Sequence, residues 1–310
     1  MAEIKENSIS LLFLIIPTIL VIFGVLFFKY PLDEEMGQLL PIPLFGSLII
    51  LGIGGFLRKE NLASKLKMAG WMIFGFYWSI QPNTLYYSEE GDIINAGICI
   101  IGVFVLFYMA YHEWLSVRRG EYVECLSWIA GASALAGFIY FIFELTPLAV
   151  WLREVVATHS GWLLNIFTGG VTVDGLFISY DEATIYIIFA CTAVQSMVIF
   201  VGMILPLKNV GIQRRLIGLL ITVLPVYFLN LVRNAMILYL VAVNGNEFFP
   251  MAHNVIGKGG SLIALVILLF IVIKMVPEVF DEINGIINLP KRNGPIEQFI
   301  NKYIWRTKKT

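Results

Sequence analysis

Tyr186 to Ser196 reads YIIFACTAVQS. The stretch starts as an apolar run and places one thiol, Cys191, among small and hydroxyl side chains. With its flanks it makes an apolar segment over 185–206, close to the roughly 20 residues that a membrane-crossing helix needs. Two later stretches answer it: Asn230-Leu231-Val232-Arg233-Asn234 and Met251-Ala252-His253-Asn254. A thiol, a guanidinium and an imidazole are the groups that cysteine-dependent acyl transfer uses. The sequence has to show whether they meet on one side of a membrane.

The 310 residues are 58% hydrophobic and 14% charged, whereas soluble proteins carry about a quarter charged residues. That balance fits a polytopic membrane protein. A net charge of −1 gives no basis for binding nucleic acid. Cys99 lies mid-way in an apolar run and Cys125 follows an inner loop. The spacing of the three cysteines suggests neither a metal site nor a disulfide framework, and no cofactor is expected. The first apolar run, from Ser8, is followed by no small-residue cleavage pattern and reads as a retained span.

The expected fold is an all-α polytopic membrane protein of about eight spans: 8–28, 39–57, 68–86, 93–112, 125–146, 185–206, 216–242 and 260–277. Loop charge sets the orientation. Arg58, Lys59, Lys65 and Lys67 lie between spans two and three, Arg118 and Arg119 between four and five, and Lys208, Arg214 and Arg215 between six and seven. The tail adds Lys291, Arg292, Lys302, Arg306, Lys308 and Lys309. Asp33-Glu34-Glu35 and Glu89-Glu90 with Asp92 mark the opposite side. By the positive-inside rule both termini are cytoplasmic.

The longest outer segment, 147–184, is expected to form a small cap. Trp151–Val156 and Trp162–Leu164 suggest one or two short amphipathic helices at the interface. Gly169–Ile178 alternates, is rich in β-branched residues and has Asp174-Gly175 at a turn, which predicts a β-hairpin. Residues 1–277 then form an integral membrane domain with its catalytic core at 185–277. Residues 278–310, with Phe299, Tyr303 and Trp305 among basic residues, read as a cytoplasmic helix resting on anionic headgroups.

On this topology Cys191 lies about two turns below the outer end of span six, and Arg233 about two to three turns below the outer end of span seven. His253 falls in the next outer loop. A span cysteine can also be plain packing, and Arg233 can hold an outer carboxylate such as Glu144, Asp181 or Glu182. A lone loop histidine is commonly structural, and His112 and His159 read that way. Against these stands the cost of a charge inside a span, which makes Arg233 a functional candidate, with Asn230 and Asn234 beside it. In the functional reading His253 takes the thiol proton and Arg233 stabilises the thiolate or an oxyanion.

The CTAVQS, NLVRN and AHNVIGKGGS stretches (191–196, 230–234 and 252–261) on this set of spans resemble the exosortase/archaeosortase family. The resemblance is best over 180–277, and the first 120 residues match in hydropathy. It implies an integral membrane cysteine transpeptidase. Such enzymes act on a C-terminal tripartite signal of exported proteins: a short motif (Pro-Gly-Phe on the archaeal side), a hydrophobic helix and a basic cluster. S-layer glycoproteins are typical clients and a membrane phospholipid the acceptor. Cys191 falls on the family's nucleophile, which forms an acyl-thioester, and Arg233 on its arginine. His253 matches the third position, where members use His or Arg. Lys274 is an alternative cation by sequence order, but it lies toward the cytoplasmic end of span eight. Gln195, Ser196 and Asn230 are the supporting polar groups. Two rivals remain: an intramembrane cysteine protease without lipid transfer, and a transporter that uses Arg233 to bind an anion, although the chain has no internal repeat of the kind transporters show.

Overall fold

A computed structural model describes residues 2–57, 60–87 and 93–303. Arg58, Lys59, Glu89, Glu90, Asp92, Trp305, Arg306, Lys308 and Lys309, all used in the sequence reading, lie outside the described residues. The chain divides into two units, one of Met1–Ala134 and Glu282–Thr310, the other of Leu135–Asp281.

The first unit is helical. It holds α1 (Ala2–Phe27), α2 (Glu34–Leu39), α3 (Pro41–Phe56), α4 (Glu60–Tyr87), α5 (Ile93–Arg119), the start of α6 (Glu124–Glu144), the end of α11 (Glu278–Ile287) and α12 (Pro295–Tyr303). α4 is central and packs on α1, α3 and α5. Close approach depends on missing side chains: a Cβ on Gly24 would lie 1.9 Å from the Ser79 carbonyl oxygen, and one on Gly102 would lie 2.3 Å from the Trp78 ring. Small residues let helices approach in this way where no hydrophobic force draws them together. Asn83 Nδ2 donates to the carbonyls of Val25 (2.8 Å) and Phe28 (2.7 Å), satisfying acceptors at the C-terminal end of α1.

Two polar clusters are buried in this unit. Lys67 Nζ lies 2.8 Å from Glu113 Oε1, with the side chains 2% and 0% exposed, and donates to Ser127 Oγ (2.9 Å). Lys67 is therefore not the loop cation that the sequence reading made it: its ammonium is inside, where a charge persists only with a partner. The tail also departs from a single helix on headgroups. After α11, a 3₁₀ turn over Leu289–Arg292 leads into α12. Glu297 is buried and accepts from Tyr108 Oη (2.8 Å) and Tyr111 Oη (2.9 Å). Arg292 donates to the carbonyl of the fully buried His112 (2.9 Å), to Ser116 Oγ and to Glu121.

The second unit continues α6 and adds α7 (Leu148–Thr168), β1 (Thr172–Asp174), β2 (Phe177–Tyr180), β3 (Ala183–Tyr186), α8 (Val194–Ile204), α9 (Ile212–Asn244) and α10 (Lys258–Met275). A 3₁₀ turn over Phe189–Thr192 precedes α8, and a π-helical turn over Met251–Gly257 precedes α10. In place of one or two short helices at the start of 147–184, the chain forms one element, α7, of 21 residues. Its C-terminus passes through Gly169 and Gly170, both at positive φ (69° and 71°), which glycine adopts without a Cβ clash. The expected hairpin is present, with Asp174 facing Phe177 across Gly175. It gains a third strand, giving the antiparallel order β1-β2-β3.

That third strand corrects the reading of 185–206 as one helix. Ala183–Tyr186 alternates buried and exposed, as a half-buried strand does, and pairs with β2. Val156, Leu164, Ile178, Ile185, Leu238 and Cys191 belong to one buried core under the sheet. At the other end of the unit, Arg215 donates to the carbonyls of Val210 (2.9 Å) and Leu205 (2.8 Å). Arg214, hydrogen-bonded to Glu278 at 2.8 Å, holds that carboxyl below the ordinary glutamate range.

Among the described residues six segments are long and apolar enough to cross a membrane: Ile9–Phe27, Glu34–Phe56, Ile93–Arg119, Glu124–Glu144, Ile212–Asn244 and Asn246–Met275. The expected third span lies within α4 and the sixth is reduced to the 11 residues of α8; neither is among the six.

Lys67→Met leaves Glu113 buried without its cation, which should lower stability by about 3–5 kcal/mol, whereas Lys67→Met/Glu113→Leu should recover most of the loss. Denaturant midpoints of the purified protein in detergent check this; equal loss in the single and double variants would contradict it.

Candidate active site

Cys191 sits in the 3₁₀ turn between β3 and α8, not inside a regular helix. Its side chain belongs to the unit's buried core, and the residue is 7% exposed. The turn is held by its own backbone and by α9. Cys191 N–H donates to the Ile188 carbonyl (2.9 Å) and Thr192 Oγ1 to the Phe189 carbonyl (2.7 Å). The Cys191 carbonyl accepts two amide donors, Asn230 Nδ2 at 2.7 Å and Asn234 Nδ2 at 3.1 Å. Asn234 Nδ2 also lies 3.4 Å from Ser160 Oγ on α7. The chain then enters α8 through Ala193, in the left-handed region (φ 61°, ψ 7°), which costs a residue with a Cβ about 1–2 kcal/mol.

The helical repeat explains how one pentapeptide serves two faces. Asn230 and Asn234 are four residues apart, hence neighbours on one side of α9. Arg233 precedes Asn234 and is turned about 100° from it around the axis. The guanidinium therefore leaves the Cys191 carbonyl to the amides and lines a cavity of about 270 Å³. Gln195, Ser196, Asn230 and Ser261 add polar atoms to a lining that is otherwise largely apolar, and Ala190 and Ala193 bring the cysteine turn to its wall. Arg233 Nε is buried and has no hydrogen-bond partner among the described residues. Gly257 gives it room: a Cβ there would lie 3.0 Å from that nitrogen.

His253 lies in the π-helical turn before α10, half-buried, with its ring stacked on Phe249 (centroids 5.3 Å apart, planes at 15°). The positive charges acting on it are those of Arg233 and Lys258. His253 is outside the cavity lining, as is the Cys191 side chain. Lys274 is in the last turn of α10, 17 residues beyond Gly257, or about 25 Å along a helix. Glu144, one carboxylate considered for Arg233, accepts from Tyr140 Oη instead (2.9 Å).

Four groups near this site are not among the candidates. Asn234 was read only as a neighbour of Arg233, although its spacing from Asn230 was the available signal for a double donor. Ser160 gave no signal. Arg153, on α7, donates through Nε to the Ile187 carbonyl (2.8 Å), bonds Tyr186 Oη and stacks over the Tyr186 ring (4.9 Å). It ties the end of β3 to the cap helix just ahead of the cysteine turn. His159, set aside as a structural histidine, has Nδ1 2.7 Å from Tyr227 Oη and so joins α7 to α9 one helical turn before Asn230.

The family described as transmembrane exosortase (Exosortase_EpsH) matches residues 45–271. Archaeosortase A of Natronomonas pharaonis is 23% identical over 215 residues, 64% of this chain and 65% of that protein, a little under two thirds of its length. Archaeosortase A of Haloferax volcanii is 23% identical over 272 residues, 74% of this chain and 86% of that protein. No solved structure matches the chain.

Losing either amide donor leaves the buried Cys191 carbonyl with one side-chain bond of two and loosens the turn, at about 0.5–1.5 kcal/mol. In a Cys99→Ala/Cys125→Ala background, Asn230→Ala and Asn234→Ala should each speed maleimide labelling of Cys191 several-fold. Unchanged labelling rates would show that the amides do not hold the turn.

Proposed function

This chain belongs to the transmembrane exosortase family, and from that premise we propose that it is a membrane-embedded cysteine transpeptidase. Its substrates are exported surface proteins that end in a tripartite signal of Pro-Gly-Phe type, S-layer glycoproteins among them. It removes the signal and passes the new C-terminus to a membrane phospholipid. The enzyme lies in the cell membrane with both termini cytoplasmic, 147–184 as an outer cap and the catalytic core of 185–277 toward the extracellular side. Loop charge supports that orientation. α4 and α8 complete eight membrane segments with the six long apolar ones. α8 enters only part of the way, and the irregular backbone before it is tolerated at depth because protein surrounds it.

The observation that carries this reading is the unpartnered Arg233 Nε at the wall of a mostly apolar cavity, next to the turn in which two amides hold Cys191. The steps follow from the groups. His253 takes the Cys191 thiol proton. The thiolate attacks the carbonyl carbon of the scissile peptide bond, and Arg233 donates to the oxyanion that forms. The C–N bond breaks, and His253 returns the proton to the leaving amine, giving a Cys191 thioester. A nucleophilic group of the lipid then attacks the thioester and restores the thiol. Gln195, Ser196 and Asn230 position the peptide and the arginine. The apolar lining limits bulk water, which favours the lipid over hydrolysis.

In reconstituted membranes, Cys191→Ala should leave a client with its C-terminal segment intact and without lipid, read as client mass. Arg233→Lys should slow processing by about 100-fold or more, the range for loss of an oxyanion donor. Continued processing by Cys191→Ala would refute the reading. A wild-type product cut but ending in a free carboxylate would make the enzyme a protease.

A further inference from the structure

β3 is an edge strand. It pairs with β2 on one side, and among the described residues only β2 and α9 pack extensively against it. The phase of the ladder follows from one bond, Ile187 N–H to the Leu176 carbonyl (2.9 Å). In an antiparallel pair, hydrogen-bonded and non-bonded partners alternate. Ile185 and Ala183 therefore point their backbone groups at β2, opposite Ile178 and Tyr180. The N–H and C=O of Thr184 and Tyr186 point the other way, off the sheet. Ile188 keeps extended geometry (φ −86°, ψ 168°) and so continues the edge to the cysteine turn.

Native edge strands are usually blunted by charge, proline, a bulge or a cover. The opposite edge, β1, is three residues long and ends in Asp174. β3, Ala183-Thr184-Ile185-Tyr186, carries neither charge nor proline. On the outer face above it, the Phe177 and Tyr186 rings lie 4.9 Å apart, 49% and 47% exposed, with Arg153 fixed over Tyr186. This is an open backbone edge beside an aromatic platform, and it runs directly into the turn of Cys191.

We propose that the free edge of β3 takes the client's signal segment as a fourth strand, so that backbone pairing at Thr184 and Tyr186 delivers the scissile carbonyl to Cys191. The occupant is an extended, uncharged peptide with a bulky apolar side chain over the Phe177–Tyr186 platform. Edge pairing supplies affinity through main-chain bonds, and alternate side chains supply selectivity. Five residues, 184–188, cover about 16 Å at the strand rise, enough to align a short motif. This inference rests on the transpeptidase reading.

The test is an N-methyl scan. Synthetic clients carry one backbone N-methyl at each successive residue that has a backbone N–H, in the motif and in the residues just before it, and wild-type enzyme in proteoliposomes processes them. Methylation at alternate positions should raise KM about 3- to 10-fold, the worth of one hydrogen bond, with the intervening positions near the unmodified value. On the enzyme, Thr184→Pro removes an outward N–H and leaves the backbone ladder to β2 in place, and should raise KM similarly; Thr184→Val, which loses the same Thr184 Oγ1–Ser179 Oγ contact (2.8 Å) but keeps the N–H, should not. Processing without alternation, or an unchanged KM in Thr184→Pro, overturns the edge pairing and leaves the transpeptidase reading standing. No processing of the unmodified client refutes both. A dimer lost in Thr184→Pro with KM unchanged assigns the edge to a second copy and also overturns the proposal.

Discussion

The carbonyl of Cys191 is the point on which the second unit's arrangement turns. A buried acceptor left without a donor loses its full desolvation energy, about 1–3 kcal/mol. Here two side-chain amides from successive turns of α9 converge on it. That convergence fixes the rotation of α9 and the height of the cysteine turn along it. Arg233, about 100° round the axis from Asn234, is then aimed at the cavity with no further adjustment, and Ser160 on α7 is drawn in through Asn234. The strand before the turn and the helix after it are positioned by the same contact, since only three residues, Ile187–Phe189, separate Tyr186 from Ala190.

The first unit handles polarity differently. Its two buried clusters, Lys67–Glu113 and Glu297 with Tyr108 and Tyr111, join residues 46 and almost 190 positions apart. Each contains a carboxylate in surroundings where an isolated charge would be neutralised or expelled. Each is therefore an all-or-nothing device: complete, it fixes which helices meet, and with one partner missing it is worse than an apolar contact. The tail is fastened by such a contact, Glu297 to Tyr108 and Tyr111.

How much of this could be read in the sequence follows from the range of each interaction. Apolar spans, the Asp174-Gly175 turn and the grouping of CTAVQS, NLVRN and AHNV are local patterns, and the cap hairpin and the family came from them. The break at 185–193 was hidden because a short apolar run suits a buried strand and a helix equally well. Ala193 gave no warning: alanine is the best helix former, and only the tertiary contacts around it place it at positive φ. Lys67 looked like a loop cation because its partner is on another helix. Asn230 and Asn234 stand between these cases. Their spacing put them on one face, but what they would hold was legible only once the chain before them was known to turn.

α8 is 11 residues long, a rise of about 16 Å, against a hydrocarbon layer of about 30 Å. In the proposed placement of α8 as a membrane segment, lipid beside it meets hydrophobic mismatch: the bilayer thins locally, or the cysteine turn sits below the headgroups, each at fractions of a kcal/mol per Å. Acyl-chain length in the host membrane thus becomes a variable of the site. A thicker bilayer draws the turn away from water and lengthens the path by which an incoming peptide must leave the aqueous phase, while a thinner one shortens that path and wets the turn.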